Sequence, residues 1–305
     1  MSGPYDNGSI LLIRLNSDGT FDNTFGTNGR VVTNISGYGD YGYDLAIQKD
    51  GKIVVAGKTG TGTDQYALAL RYNSNGTLDS TFGTNGQSLY DGAGWDEAKS
   101  IALQADGKIV VTGSTSDAVV KAFTDVLILR YDTDGTLDSS FGINGVVTYD
   151  YIYESGSAVI VQPDGYILVA GNIWDYNCEN DSSFILRYAS NGTLDANFGA
   201  GGVVSYNPRF DGCLYATAQS MAMKNDGKII TAGALGSKVI VLRYDSSGAL
   251  DNTFSREGYG IYNLEGEYTY AYGKGIGLQV DEKIIDLQAY PFTICIGERD
   301  RLAGR

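Results

Sequence analysis

Short runs of β-branched and aromatic residues follow one another along the chain, separated by clusters of Gly, Asn, Asp and Ser. Between residues 100 and 149 they read SIALQ (100–104), KIVVTG (108–113), VLILRY (126–131) and VVTY (146–149). Such residues suit a half-buried pleated surface, and the Ala-Asp-Gly between the first two runs reads as a hairpin turn. No stretch sustains a 3.6-residue period, so almost no helix is expected. Each group of four runs therefore predicts one four-stranded antiparallel sheet, with strands A to D in chain order.

The group recurs. A segment of the form LRYxxxGTLDxxFG, fullest at Leu129–Gly142, appears five times, with its arginines at Arg14, Arg71, Arg130, Arg187 and Arg243. Alternating with it is a second segment typified by DGKIVVAG, Asp50–Gly57. The arginine spacings of 57, 59, 57 and 56 fall near the period of propeller blades. Four blades are continuous, at about 44–90, 98–150, 157–206 and 219–263. The chain opens in strand C and closes after an A–B pair. The expected fold is thus all-β, a five-bladed propeller of four-stranded antiparallel blades. Its fifth blade would pair the N-terminal strand Ile10–Leu15 with the strand around Lys283–Leu287, which removes two open edges.

Together the two motifs resemble the delta-60 repeat, a family of bacterial β-propeller repeats in large, often secreted or surface-associated proteins. The resemblance spans about residues 10–285 and implies the propeller fold, no defined reaction, and an extracellular or cell-surface location with any signal peptide lying outside this chain. The last residues, IDLQAYPFTICIGERDRLAGR, match no blade.

Composition narrows the chemistry. There is no His among 305 residues, which excludes Ser-His-Asp and Cys-His catalysis and His-ligated zinc. A net charge of −14 argues against nucleic acid or an anionic membrane as partner, and no apolar run is long enough to span a bilayer. The three cysteines cannot build a four-thiolate site. Cys178 and Cys213 fall in loops expected on the same face of one blade and are a candidate disulfide, leaving Cys295 free. No cofactor is expected, and a monomer is the simplest state.

The third repeat contains Asp132, Asp134 and Asp138 around a Gly, an arrangement of oxygen ligands like a calcium loop. The aligned first position holds Asn16, Asn73, Ala189 and Asp245 in the other copies. Only the last carboxylate recurs, at Asp22, Asp79, Asp138, Asp195 and Asp251, where it suits a turn whose free amides need an acceptor. The arginines are expected to pack between blades and pair with these acids.

The A–B and C–D turns barely change between copies, whereas the D–A and B–C loops differ in each. Constant turns mean architecture and variable loops carry recognition. On the variable face lie Tyr41, Tyr90, Trp95, Tyr153, Trp174 and Tyr215, with Asp96 and Asp175 directly after the two tryptophans. Rigid amphipathic rings beside short acceptors suit a carbohydrate or protein partner. Two other readings stay open. Asp40, Asp96 and Glu154 occupy the same slot before strand A in three blades and, with Asp44 or Glu97, would supply the two carboxylates of a glycoside hydrolase. Alternatively, the propeller is a spacer with no ligand.

Overall fold

The computed structural model describes residues 8–36, 39–61, 64–92, 94–116, 124–151, 153–174, 182–207, 216–236, 238–255, 257–262, 273–278 and 284–288. Within the last two segments, side chains are described only at Ile276 and Leu278. Twenty strands and no helix are present among these residues. The N-terminal hairpin is β1 (Ile10–Ile13) with β2 (Arg30–Thr33). Four complete sheets follow. Blade I comprises β3 (Tyr41–Ile47), β4 (Ile53–Gly60), β5 (Gln65–Tyr72) and β6 (Gln87–Tyr90). Blade II comprises β7 (Glu97–Leu103), β8 (Ile109–Ser116), β9 (Thr124–Tyr131) and β10 (Val146–Tyr149). In blade III the strands are β11 (Glu154–Val161), β12 (Ile167–Ile173), β13 (Ser182–Tyr188) and β14 (Val203–Tyr206). In blade IV they are β15 (Ser220–Met223), β16 (Ile229–Leu235), β17 (Lys238–Tyr244) and β18 (Tyr259–Tyr262). A last hairpin joins β19 (Gly273–Leu278) to β20 (Ile284–Gln288).

Every strand pair is antiparallel, and each four-stranded sheet keeps chain order from A to D, as the hydrophobic pattern predicts. The fifth blade differs from expectation. β1 pairs with β2 and β20 with β19, and no ladder links Ile10–Ile13 to Ile284–Gln288 among the described residues. Each hairpin instead lays its apolar side on a complete blade. Ile10 and Leu12 pack with Ile53, Val55, Leu68 and Tyr72 of blade I. Ile276 and Leu278 pack against Ile230, Val239 and Val241 of blade IV.

The repeat motif makes a clasp between blades. Arg130 lies at the end of β9, and its Nε donates to Asp138 Oδ2 at 2.6 Å. Its Nη1 donates to the carbonyl of Ser190 in the next blade, and its guanidinium sits 4.6 Å from the centre of the Phe141 ring. Arg14, Arg71 and Arg187 reach Ser74, Thr133 and Ser246 in the same way. Phe25, Phe82, Phe141 and Phe198 beneath them are fully buried, each contributing about 1.5–3 kcal/mol of burial. The recurring aspartate also caps its turn, Asp138 Oδ1 accepting from Ser140 N at 3.0 Å and Ser140 Oγ at 2.7 Å. A glycine is required beside this clasp. Gly135 has φ +87°, and a Cβ there would stand 2.8 Å from Gly83 N and from the Phe82 ring.

The lysine of the DGK turn completes the network in three blades. Lys52, Lys108 and Lys228 lie 2.8, 2.7 and 2.9 Å from Asp79, Asp138 and Asp251. Blade III has Tyr166 in place of the lysine, and Arg187 stacks 5.1 Å from its ring centre. Burial opposes the charge on Asp79 and Asp138, but the lysine, the hydroxyl donors and the arginine outweigh it and hold both carboxyls well below the usual range. On the inner side a second tie joins the A strands. Asp44 Oδ2 accepts from Ile101 N at 3.0 Å, Ser100 Oγ from Val159 N at 3.3 Å, and Ser220 Oγ from Ile276 N at 3.0 Å.

Candidate functional site

The D–A and B–C loops emerge beside the starts of the A strands, where β3, β7 and β11 begin with different residues on the same backbone. The carbonyls of Tyr41, Glu97, Ser155 and Thr217 crowd Gly57, Gly113, Gly171 and Gly233, leaving 1.9–2.0 Å for a Cβ. This close approach explains why the Gly of IVVAG recurs, and it fixes which residues are equivalent between blades.

At this end blade I presents two tyrosines. Tyr41 and Tyr43 are 42% and 37% exposed, with ring centres 6.3 Å apart and planes inclined by 12°. Lys58, paired with Tyr41 across the ladder, holds its ammonium 5.5 Å from the Tyr41 ring centre and donates to Gln65 Oε1 at 3.1 Å. Blade II answers with Glu97 and Lys99. Glu97 accepts from Ser114 Oγ at 3.1 Å and Tyr43 Oη at 3.4 Å, and it pairs with Lys99 at 2.8 Å and Lys58 at 3.5 Å. Lys99 also donates to Ser155 Oγ of blade III at 2.6 Å. Burial works against the Glu97 charge, but Lys99, Lys58 and Ser114 prevail and keep the carboxyl below its ordinary range. Burial and the facing Glu97 raise the Tyr43 phenol, so it stays protonated.

The two tryptophans stand in the D–A loop before blade II and the B–C loop of blade III. Trp95 is 38% exposed, positioned by its N–H to Ser116 Oγ at 2.7 Å and by a bridge to Gln65. Trp174 is 56% exposed, and its N–H donates to Tyr153 O at 2.9 Å. Tyr90 and Tyr153 are half-buried. Burial, with Asp96 and Asp91 nearby, raises the Tyr90 phenol. Asp175, Tyr215, Cys178 and Cys213 lie outside the described residues.

The slot acids are not a solvated rim. Asp40, Asp96 and Glu154 are only 2%, 0% and 1% exposed. Asp40 gathers the preceding loop by accepting from Ile35 N at 2.6 Å and Ser36 Oγ at 3.0 Å. Asp96 does the same with Gly92 N at 2.6 Å. Burial pushes the Asp96 carboxyl up, against the hydrogen bonds from Thr115 and Gly92. The geometry of Asp40 and Asp96 is that of loop staples.

Two groups bear on metal binding. Asp132 and Asp138 both face Lys108 Nζ at 2.7 Å, and Asp134 accepts from Thr136 N and Oγ1 at 2.9 and 2.7 Å. Two of the three carboxylates are thus paired with the protein's own ammonium, and the third caps its turn. Asp125, Asp150 and Glu154 can each bring one oxygen within 4.8 Å of the others at the junction of blades II and III.

Sequence reasoning placed Tyr41 and Glu97 on this face but passed over Tyr43, Lys58 and Lys99. Their signal was available in the contrast between aligned repeats.

Comparison with known families bears on the fold. The family described as "Domain of unknown function (DUF5122) beta-propeller" matches residues 5–25, 48–82, 104–141, 162–198 and 224–254. The chain belongs to the DUF5122 β-propeller family. The matched segments carry the clasp, from the DG turn of each blade to its Phe. No curated protein matches the sequence. Among solved structures, the chain is similar to a virginiamycin B lyase from Staphylococcus aureus at 13% identity and a TM-score of 0.39, covering 83% of this chain and 85% of that one. A Lactobacillus plantarum protein is 13% identical with a TM-score of 0.46, covering 92% and 82%. An ulvan lyase of polysaccharide lyase family PL25 is 11% identical with a TM-score of 0.46, covering 74% and 57%.

Proposed function

We propose that this DUF5122 propeller is a non-catalytic binding module that recognises a carbohydrate or protein partner outside the cell through its D–A/B–C face. The observation that carries the reading is the placement of the only two tryptophans. Both stand in loops that differ between repeats, at 38% and 56% exposure, while Phe25, Phe82, Phe141 and Phe198 of the repeat motif are fully buried. Rigid rings of this kind lose little rotamer entropy on binding. The burial of Asp40, Asp96 and Glu154 speaks against glycoside cleavage by that trio, since neither an acid nor a nucleophile works without reaching substrate. The scaffold is a five-bladed ring, the N-terminal hairpin supplying strands C and D of the fifth blade and the C-terminal hairpin strands A and B. The Ser220–Ile276 tie, which repeats the inner tie of the earlier blades, supports that assignment.

A glycan and peptide array identifies the ligand class. Trp95→Ala or Trp174→Ala then weakens the identified ligand by more than about 1 kcal/mol, while Asn75→Ala on the opposite face leaves it unchanged. The reverse pattern overturns the proposal.

A further inference from the structure

Resting on that reading of the face, we infer that the cluster of Tyr41, Tyr43, Lys58, Glu97 and Lys99 is a subsite for a neutral, polyhydroxylated sugar. The first support is divergence within the repeat. The position of Tyr41 is Glu97 in blade II, Ser155 in blade III and Thr217 in blade IV, although the backbone there is held the same by the four glycines. Two residues on, Tyr43 corresponds to Lys99, Ser157 and Gln219. Between these positions and the DG turns the copies stay alike. A blade needs neither a tyrosine nor a glutamate at this place, because blades III and IV form without them.

The second support is the chemistry assembled. Two nearly parallel rings, each over a third exposed, offer a flat apolar strip of the kind that receives the C–H face of a pyranose. Beside the strip, Glu97 is kept ionised and accepts from a sugar hydroxyl that replaces the long 3.4 Å bond from Tyr43 Oη. Lys99 supplies donors, and Ser155 orients it. The ion pairs among Lys58, Glu97 and Lys99 hold these groups in place before any ligand arrives.

The third support is charge. A cationic ligand finds Glu97 already matched by two ammonium groups. An anionic ligand meets Glu97 itself, with Asp40, Asp44 and Asp96 behind it in a chain of net charge −14. A neutral ligand that both donates and accepts suits the cluster best. The cluster holds one carboxylate, Glu97, where glycoside cleavage uses a pair, so the subsite holds a sugar without cutting it.

The test uses the full chain and five probes: cellohexaose, xylohexaose, mannohexaose, maltohexaose and, as the acidic comparison, trigalacturonate. Titration calorimetry and saturation-transfer NMR read the affinity and the contacted protons. The expected result is binding of at least one neutral hexaose. Glu97→Gln and Tyr43→Ala each weaken it about tenfold or more, Tyr43→Phe weakens it far less, and Asn75→Ala has no effect. Thermal melts confirm that each variant is folded, and Tyr43→Phe keeps the test decisive if Tyr43→Ala is not. Failure of all neutral hexaoses to bind overturns the proposal, as does preference for trigalacturonate. Binding that survives Glu97→Gln and Tyr43→Ala but is lost in Trp174→Ala also overturns it, while leaving the wider binding face intact. A peptide taken from the array and held through Trp174, with no hexaose bound, likewise overturns the sugar subsite and spares the face.

Discussion

Replacing Arg130 by Met tests whether the repeat motif joins blades as the geometry indicates. Met keeps most of the apolar stem and removes the guanidinium. The variant loses the 2.6 Å bond to Asp138, the bond to the Ser190 carbonyl in blade III and the contact 4.6 Å above Phe141. A charge-assisted bond contributes about 1.5–3 kcal/mol, the bond to the Ser190 carbonyl about 0.5–1.5 kcal/mol, and the ring contact about 0.5–1 kcal/mol. Lys108 stays 2.7 Å from Asp138 and offsets part of the loss, so the expected destabilisation is about 3 kcal/mol. Arg14→Met is the internal control. It removes the same contacts where the pair is 27% and 22% exposed, and solvent screening reduces the expected cost to about 1 kcal/mol. Calorimetric melting should therefore fall by roughly 6–12 °C for Arg130→Met and 2–4 °C for Arg14→Met. Equal shifts, or a loss under about 1 °C for Arg130→Met, would refute the clasp as a source of stability.

Three further outcomes follow from the same contacts. The carboxyls of Asp79, Asp138 and Asp251 are depressed in the folded state, so their stabilisation is present above the unfolded value near pH 4 and is lost as pH falls toward their folded values; urea midpoints at pH 6, 4 and 2.5 should fall in that order, and a flat profile contradicts the assignment. Tyr72→Phe loses a 2.7 Å bond to Thr33 Oγ1 and should cost about 1 kcal/mol by denaturant midpoint, whereas Tyr131→Phe, whose buried hydroxyl has no hydrogen-bond partner among the described residues, should be neutral or stabilising. Ala158 stands at the register position of Ser100 and Ser220 and is the one such residue that cannot accept the next blade's amide, so Ala158→Ser should add about 0.5–1.5 kcal/mol, and a lowered midpoint would exclude the tie to Met221 N.

The fold was legible because each blade states its own rules. The DG turn needs a left-handed glycine, met by Gly51, Gly107, Gly165 and Gly227 at φ +82° to +91°, and no other residue type fills that place in these copies. The role of Arg130 and its equivalents was legible too, since a recurring Arg eight residues before a recurring Asp has few uses but a pair. Joining the two terminal hairpins is a different matter. Their pairing depends on how the ring curves, which no local pattern encodes, and among the described residues β1 and β20 each keep only their own hairpin partner.

A bulge decides which of two neighbouring positions in the candidate site is buried. Strict alternation counted back from the DG turn puts Asp44, Gly42 and Asp40 on one face with Ala46. The ladder shifts between Gly42 and Asp44, so Asp44 opposes Ala56 but Tyr41 opposes Lys58. Ala56 and Lys58 share a face of β4, and the extra residue therefore transfers that face from the even to the odd positions of β3. The same shift falls between Ala98 and Ser100 in blade II and between Gly156 and Ala158 in blade III. It turns Asp40, Asp96 and Glu154 inward onto their loops and leaves Tyr41, Glu97 and Ser155 at the more open position. A glycine before the shift is present in only two of these copies, Gly42 and Gly156, against Ala98, so composition alone does not announce it. The sequence feature that does is chemical: three acids in one slot would repel one another around a common rim, and Asp40 and Asp96 are tolerated there because each accepts an amide of its own loop. Acid in three of the four complete blades, with Ala216 in the fourth, marks the buried slot, and the neighbouring position, free to differ, is where the blades acquire separate chemistry.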